Sequence, residues 1–154
     1  MVEAAAKPTT GAENIIWDLS ALYDSPDDPQ LEQDMSAAIE KAEQFLSTYR
    51  GKVMALDAEE MREALEAFIE ILDMRGRIGS YASLLYSTDT ANARYGALRQ
   101  KVTEFGSKIG GKLVFFGLEW NAADDEQVTK LLKDPVLADY HHYLEAERRY
   151  TPYQ

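Results

Sequence analysis

Residues 93–121, ARYGALRQKVTEFGSKIGGKLVFFGLEWN, are predicted to form one long helix. The apolar residues step by three or four positions throughout: Tyr95, Leu98, Val102, Phe105, Ile109, Leu113, Phe116 and Trp120. This spacing places them on one side of an α-helix. At about 1.5 Å per residue, the helix would be on the order of 40 Å long. The sequence contains no convincing run of period-two, β-branched residues, so an all-α fold is predicted.

A second long helix is predicted directly upstream. Asp57 and Glu60 form a variant of the capping box, in which Asp takes the Ser/Thr role and Glu follows three residues later. The apolar stripe is Met61, Leu65, Phe68 and Leu72, and after a weak region it resumes with Ile78, Ala82 and Leu85. The helix is expected to run to about Ser87, with a bend near Gly76 and Gly79. The polar turn Thr88 to Asn92 then predicts antiparallel packing on the third helix.

The flanking sequence predicts the remaining helices. The first begins near Asp28 and Pro29 and ends at Gly51, because Asp is a good N-cap and Gly a good C-terminal stop. A short helix follows Asp124, and a last helix runs from Pro135 to about Tyr150. We therefore predict a helical bundle of four to five helices, in which the second and third are long and antiparallel.

Glycines recur within both long helices. The third helix contains five glycines, among them Gly96, Gly106, Gly110 and Gly117. An interior glycine costs about 1 kcal/mol relative to alanine. We therefore predict that these glycines, with Gly76 and Gly79, serve close helix packing.

The predicted domain organisation is simple. Residues 1–14 carry Ala, Thr, Pro and Gly without periodicity, which predicts a flexible leader. Residues 15–154 are predicted to form a single helical domain. Between Ile15 and Tyr23 lies a dense apolar patch that is too short for a typical helix. We interpret it as an extended arm that inserts its aromatic side chains into the body of the domain.

Composition limits the classes of partner. The chain has 154 residues, with Asp+Glu 27 against Lys+Arg 16 and a formal net charge of −11. Such a surface repels phosphate backbones and anionic lipid, so neither nucleic acid nor membrane is expected as a partner. The absence of cysteine excludes a disulfide framework and thiolate chemistry. With no signal-type apolar run near the start, a cytoplasmic location is the expectation.

The residues that invite a catalytic or metal-binding interpretation form incomplete sets. His141 or His142 with Glu145 supplies two metal-compatible groups, whereas a zinc site uses three or four. Ser80, Ser83 and Ser87 lack a nucleophile-elbow pattern, and the glycines from 106 to 111 lie inside a helical stripe. No catalytic, cofactor-binding or metal-binding residue is therefore assigned, and exposed or packed helix residues are the alternative in each case.

Four tyrosines leave two interpretations open. Tyr81, Tyr86, Tyr140 and Tyr143 could line a peptide channel, because a phenol offers both ring contact and a hydrogen bond. Equally, they could be core residues whose hydroxyl groups reach the surface.

Three strings, in this order, carry a resemblance to a known family: WDLSALY at 17–23, RIGSYASLLYSTDTAN at 77–92 and KLVFFGLEWN at 112–121. Together they resemble the N-terminal region of oligoendopeptidase F, a family of zinc metallopeptidases that cut short peptides. That family binds zinc through H-E-x-x-H. Here the only histidines are the adjacent His141 and His142, so no catalytic residue carries over.

The resemblance implies a non-catalytic helical lobe that helps to wall a peptide-binding cavity. Zinc would then belong to the parent enzyme and not to this chain, which should be inactive alone. The implied partners are the C-terminal catalytic domain and, in the parent, an oligopeptide substrate. The alternatives are an independent helical protein-interaction module and a small enzyme of unfamiliar chemistry. An H-E-x-x-H in the reading frame beyond Gln154 would favour the first hypothesis.

A lobe of this kind should expose an apolar face for the catalytic domain. The expected contributors lie near the end of the chain, at Leu137, Tyr140, Leu144, Tyr150 and Tyr153, joined by Tyr81 or Tyr86. We expect self-association through that exposed interface.

Overall fold

The computed structural model describes residue 11 and residues 17–149. They form five α-helices: α1 Pro29–Tyr49, α2 Ala58–Thr88, α3 Ala93–Asn121, α4 Asp125–Leu132 and α5 His141–Arg148. Two 3₁₀ segments, Val53–Ala55 and Pro135–Tyr140, join them, and this described part contains no β-strand. The predicted all-α class, with its long second and third helices, is confirmed. Apart from Gly11, the predicted leader lies outside the described residues.

Side-chain caps explain where the helices begin. Asp28 accepts from the Gln30 amide at the start of α1, and Asp124 accepts from the Gln127 amide at the start of α4. At α2 the capping box is complete, because Asp57 accepts from the Glu60 amide at 2.9 Å and the Glu60 carboxylate accepts from the Asp57 amide at 3.0 Å. These contacts satisfy amides that a helix N-terminus leaves unpaired.

The α2–α3 hairpin is the centre of the fold, and α1 packs along one side of it. Asn92 caps α3 through the Arg94 amide after the short turn. The core between the three helices is aromatic at one end, where Phe45 lies 5.7 Å from Phe68 and 5.5 Å from Phe116, between ring centroids. Lys101 and Lys112 of α3 pair with Glu32 and Glu43 of α1, on the side of the hairpin that α1 covers.

The last predicted helix is two elements rather than one. Pro135–Tyr140 is a 3₁₀ helix and only His141–Arg148 is α-helical. The 3₁₀ geometry is common in the first turns of a helix, and here it carries Leu137 into the core. Leu137 and Leu144 are both fully buried within the chain. The prediction that these two leucines form an exposed face is therefore wrong, and Tyr150 and Tyr153 lie outside the described residues.

The segment before α1 inserts one aromatic side chain and not two. Tyr23 is buried, with its ring 5.1 Å from that of Tyr81 in an edge-on arrangement. Its hydroxyl donates to Asp34 at 2.8 Å. Trp17, by contrast, is 57% exposed, so the predicted insertion is wrong for this residue. Ile15 and Ile16 lie outside the described residues.

The glycines of the long helices do not serve close packing within the described residues, which corrects the prediction. A Cβ added at Gly76, Gly79, Gly110 or Gly111 would meet no atom within 4 Å. At Gly106 the nearest atom is Arg75 Nε at 3.5 Å, which is ordinary contact. The helix-propensity cost of these glycines is thus not offset by packing inside the described part of the chain.

Candidate functional site

The structure brings one histidine and one carboxylate together on α5. His141 Nδ1 lies 3.5 Å from Glu145 Oε2, and both side chains are nearly half exposed. His142 is exposed on the same helix. Within residues 17–149 no group of three or more His, Asp or Glu side chains could hold a metal ion. These residues therefore do not fit the zinc centre that the resemblance implies for the parent enzyme.

The serine and glycine candidates lie within continuous helix. The Ser87 hydroxyl donates to the Ser83 carbonyl at 2.9 Å, one turn earlier in α2. This is the local back-bonding expected of a hydroxyl on a helix. The glycines from 106 to 111 lie in the middle of α3. Neither set has the local structure that a catalytic nucleophile or a phosphate loop needs.

The four tyrosines are divided between core and surface. Tyr81 is 1% exposed and belongs to the core. Tyr140 is half-buried against the core. Tyr86 lies under the Arg99 guanidinium, which is 4.7 Å from the ring centroid. Tyr143 is half-buried beside α3, where burial and, less strongly, the Glu147 carboxylate raise its pKa to about 12.

Two residues of the KLVFFGLEWN string hold distant parts of the chain to α3. The Glu119 carboxylate accepts from the backbone amides of Gly51 at 2.7 Å and Val53 at 3.3 Å. The indole Nε1 of Trp120 donates to the Leu144 carbonyl at 2.9 Å. The roles of these two residues are therefore structural. The apolar spacing of α3 predicted Trp120 as a core residue. The Glu119 contact could not be predicted, because a carboxylate in a helix carries no sequence signal for a partner almost 70 residues away.

A groove runs along the side of the hairpin that α1 leaves uncovered. We call it the back groove, and it is lined by Phe68, Leu72, Arg75, Gly110, Leu113, Val114, Gly117, Leu118, Tyr143 and Glu147. Its volume is about 470 Å³. Val114 is 58% exposed and Leu118 is 49% exposed, so apolar surface faces solvent here. Among the described residues, Val114 and Leu118 therefore form an exposed apolar strip on α3, whereas Leu137 and Leu144 of the predicted face are buried.

The charges of the back groove lie towards its opposite ends. Arg75 lies beside Gly106, and Glu147 lies beside Gly117. Neither side chain forms an ion pair with a residue in the described part of the chain. Between them the lining is apolar or glycine. Such a surface suits contact with another protein surface more than it suits chemistry.

Membrane insertion finds no support in the described helices, none of which has the length and apolar character to cross a bilayer.

The comparisons with known proteins give one match. A family model of the N-terminal region of M3 peptidases, described as Oligopeptidase F, matches residues 119–154. The match begins at Glu119 and covers α4 and α5, whereas two of the three resembling strings lie before it. No curated protein and no solved structure matches the chain. Over this last part of the chain, the match confirms the resemblance to the N-terminal region of oligopeptidase F.

Proposed function

We propose that the chain is the non-catalytic N-terminal helical lobe of an oligopeptidase F-like zinc metallopeptidase. The observation that carries this proposal is the family match over residues 119–154. The architecture agrees with it, because Pro135–Tyr140 of the matched segment packs on α2, α5 packs on α3, and the Glu119 carboxylate accepts from the amides of Gly51 and Val53. The matched segment and the α2–α3 hairpin therefore form one structural unit.

The role proposed for this lobe is to help wall the cavity that admits peptides to the zinc centre. A rigid wall needs long helices with a well-packed core. Here α2 and α3 are 31 and 29 residues long, and large side chains such as Trp120, Tyr81 and Phe116 are almost fully buried. Zinc would be held by residues of the parent enzyme, where it supplies a Lewis acid and an activated water. Residues of this chain would exclude large substrates and leave hydrolysis to the parent's zinc site.

The test reconstitutes the lobe with a catalytic partner. The chain is mixed with the zinc-bearing part of an oligopeptidase F that lacks its own N-terminal lobe. Cleavage is followed with quenched fluorescent peptides of increasing length. We expect no cleavage by the chain alone. The mixture should cleave short peptides and discriminate against long ones more strongly than the catalytic part alone does.

A chain without effect on rate or length preference, and without binding to the catalytic part, would contradict this proposal. That outcome would favour the alternative, an independent helical protein-interaction module. Cleavage by the purified chain alone that is lost on His141→Ala would contradict both hypotheses. His142→Ala is the matched control, because His142 lies next in sequence and forms no ion pair with any residue of the described part.

A further inference from the structure

The back groove is self-complementary in charge. Its cationic side chain, Arg75, lies level with Gly106 of α3, since Arg75 Nε is 3.5 Å from the position of a Cβ there. Its anionic side chain, Glu147, lies level with Gly117, with Oε2 3.7 Å from the corresponding position. The two levels are 11 residues apart along α3, which is about 16 Å along a helix.

The groove is also self-complementary in shape. Midway between the two charges lie Gly110 and Val114, one turn apart on the same side of α3. A Cβ at Gly110 would meet nothing within 4 Å, so open space lies above this residue. Val114 projects into solvent one turn later, with 58% of its surface exposed. The same groove thus offers both a hole and a side chain able to fill it.

We propose that the back groove is the interface of a two-fold symmetric homodimer. A two-fold axis between Gly110 and Val114 places Val114 of each copy over Gly110 of the other. The same axis brings Arg75 of each copy beside Glu147 of the other, which gives two intermolecular ion pairs. Such an isologous contact uses one patch twice and closes at two copies. This inference does not depend on the peptidase proposal.

Charge and continuity both favour a second copy as the occupant. Two chains of net charge −11 repel each other over most of their surface. They can approach where Arg75 of each meets Glu147 of the other, because neither side chain is ion-paired within the described part of the chain. The groove also continues a helix interface within the chain, because α5 packs on α3 and Glu147 of α5 lies beside Gly117. A second α3 would extend that layer over Gly110.

The first experiment is a charge exchange followed by sedimentation velocity on the full chain, from micromolar to millimolar concentration. The wild-type chain should dimerise. Arg75→Glu and Glu147→Arg should each weaken the dimer about tenfold or more, because each places like charges opposite one another. The double variant should recover most of the affinity, since the pairs are restored with the signs exchanged. Lys130→Glu is the control for net charge, because Lys130 is exposed on α4 outside the back groove.

The second experiment tests the register of the interface. A Cβ at Gly110 would meet no atom within 4 Å, so the Gly110→Leu variant should stay helical, and its side chain should fill the groove and make the chain monomeric. Because the chain has no cysteine, Gly110→Cys and Val114→Cys can be mixed and oxidised. The mixture should form a disulfide between the two variants, whereas Lys130→Cys mixed with either should not.

Three results would overturn the proposal. The first is a wild-type chain that stays monomeric at all concentrations. The second is a dimer that Gly110→Leu leaves intact while circular dichroism shows the variant to be folded. The third is a double charge variant that is as weak as the single variants, because the ion pairs would then be absent from the interface.

Discussion

The two ends of the α2–α3 hairpin differ in how many of their sides are covered. At the closed end, around Trp120, α1 packs on one side and α5 on the other. The part of the hairpin nearer the turn at Thr88 to Asn92, which we call the open end, is covered by α1 and by Tyr23 of the segment before it, and a Cβ at Gly79 would meet no atom within 4 Å. The closed end is stabilised mainly by the burial of apolar side chains such as Phe116 and Trp120. The open end also has a buried apolar core, for example Ile78 and Phe105, and it adds the polar link between Asp34 of α1 and Arg77 of α2. The same two helices are thus stabilised differently along their length.

The largest expected effect is at the closed end. Trp120 is 2% exposed and its indole donates to Leu144. Trp120→Ala should lower the free energy of unfolding by about 3–5 kcal/mol, because it leaves a cavity and removes the hydrogen bond to the Leu144 carbonyl. Urea unfolding followed by circular dichroism measures this loss. Trp17→Ala is the matched control, and it should change stability by less than about 0.5 kcal/mol since Trp17 is mostly exposed. Equal effects of the two variants would contradict the assignment of the closed end.

The second effect concerns the polar link at the open end. Asp34 of α1 accepts from Tyr23 at 2.8 Å and pairs with Arg77 of α2. Burial alone would raise the pKa of Asp34, but hydrogen bonds from Gln30 and Tyr23 and the Arg77 charge together lower it. Asp34→Asn should cost about 2–3 kcal/mol at neutral pH, because hydrogen bonds to a charged group are lost.

The lowered pKa of Asp34 also fixes the sign of the pH dependence. A carboxyl whose folded pKa lies below its unfolded value stabilises the fold above the unfolded pKa of about 3.9. This stabilisation is lost as the pH falls through the folded pKa. The difference in unfolding free energy between wild type and Asp34→Asn should therefore shrink on acidification. Asp139→Asn, on an exposed residue, is the control, and a difference that stays constant down to low pH would contradict the link.

A smaller effect is expected where Glu119 joins α3 to the turn after α1. The carboxylate accepts from the amides of Gly51 and Val53. Glu119→Ala should cost about 1–2 kcal/mol through these hydrogen bonds. Glu119→Gln should cost less, since an amide oxygen can still accept from one amide. The matched control is Glu40→Ala on the exposed side of α1. Thermal unfolding compares the melting temperatures of these variants with that of the control. Equal melting temperatures for Glu119→Ala, Glu119→Gln and Glu40→Ala would contradict the contact.

Local signals in the sequence predicted the helices well. Capping residues such as Asp57 and the apolar stripe of α3 are properties of neighbouring residues, so they can be read from the sequence alone. The failures concern contacts between distant segments. Leu137 and Leu144 were expected on an exposed face, but both are fully buried, Leu137 on the 3₁₀ segment and Leu144 on α5. Trp17 and Tyr23 belong to the same apolar patch of the sequence. Tyr23 is buried and its hydroxyl donates to Asp34, whereas Trp17 is mostly exposed.

The candidate surface was less predictable than the fold. An exposed apolar face was expected near the end of the chain, but among the described residues the exposed apolar side chains Val114 and Leu118 lie on α3. Val114 and Leu118 lie in an apolar run of α3 whose sequence predicts buried residues. The helix α3 is too apolar to bury its whole circumference against α1 and α2. Which strip of α3 stays exposed depends on how much of it α5 covers. That coverage is set by tertiary packing and carries no local signal.

The smallest effect separates two kinds of glycine and tests the open end directly. Gly79 lies in helical backbone with nothing within 4 Å of its Cβ position, whereas Gly51 has φ +77°. Gly79→Ala should raise the free energy of unfolding by about 0.5–1 kcal/mol, because alanine restricts the unfolded chain and favours helix. Gly51→Ala also meets no atom, yet it should lower stability, since a side chain is strained at this positive φ. Urea titrations of the two variants side by side give the sign of each change. A loss of stability at Gly79 would mean that this side of the hairpin is covered, and the contrast between the closed and open ends would then fail.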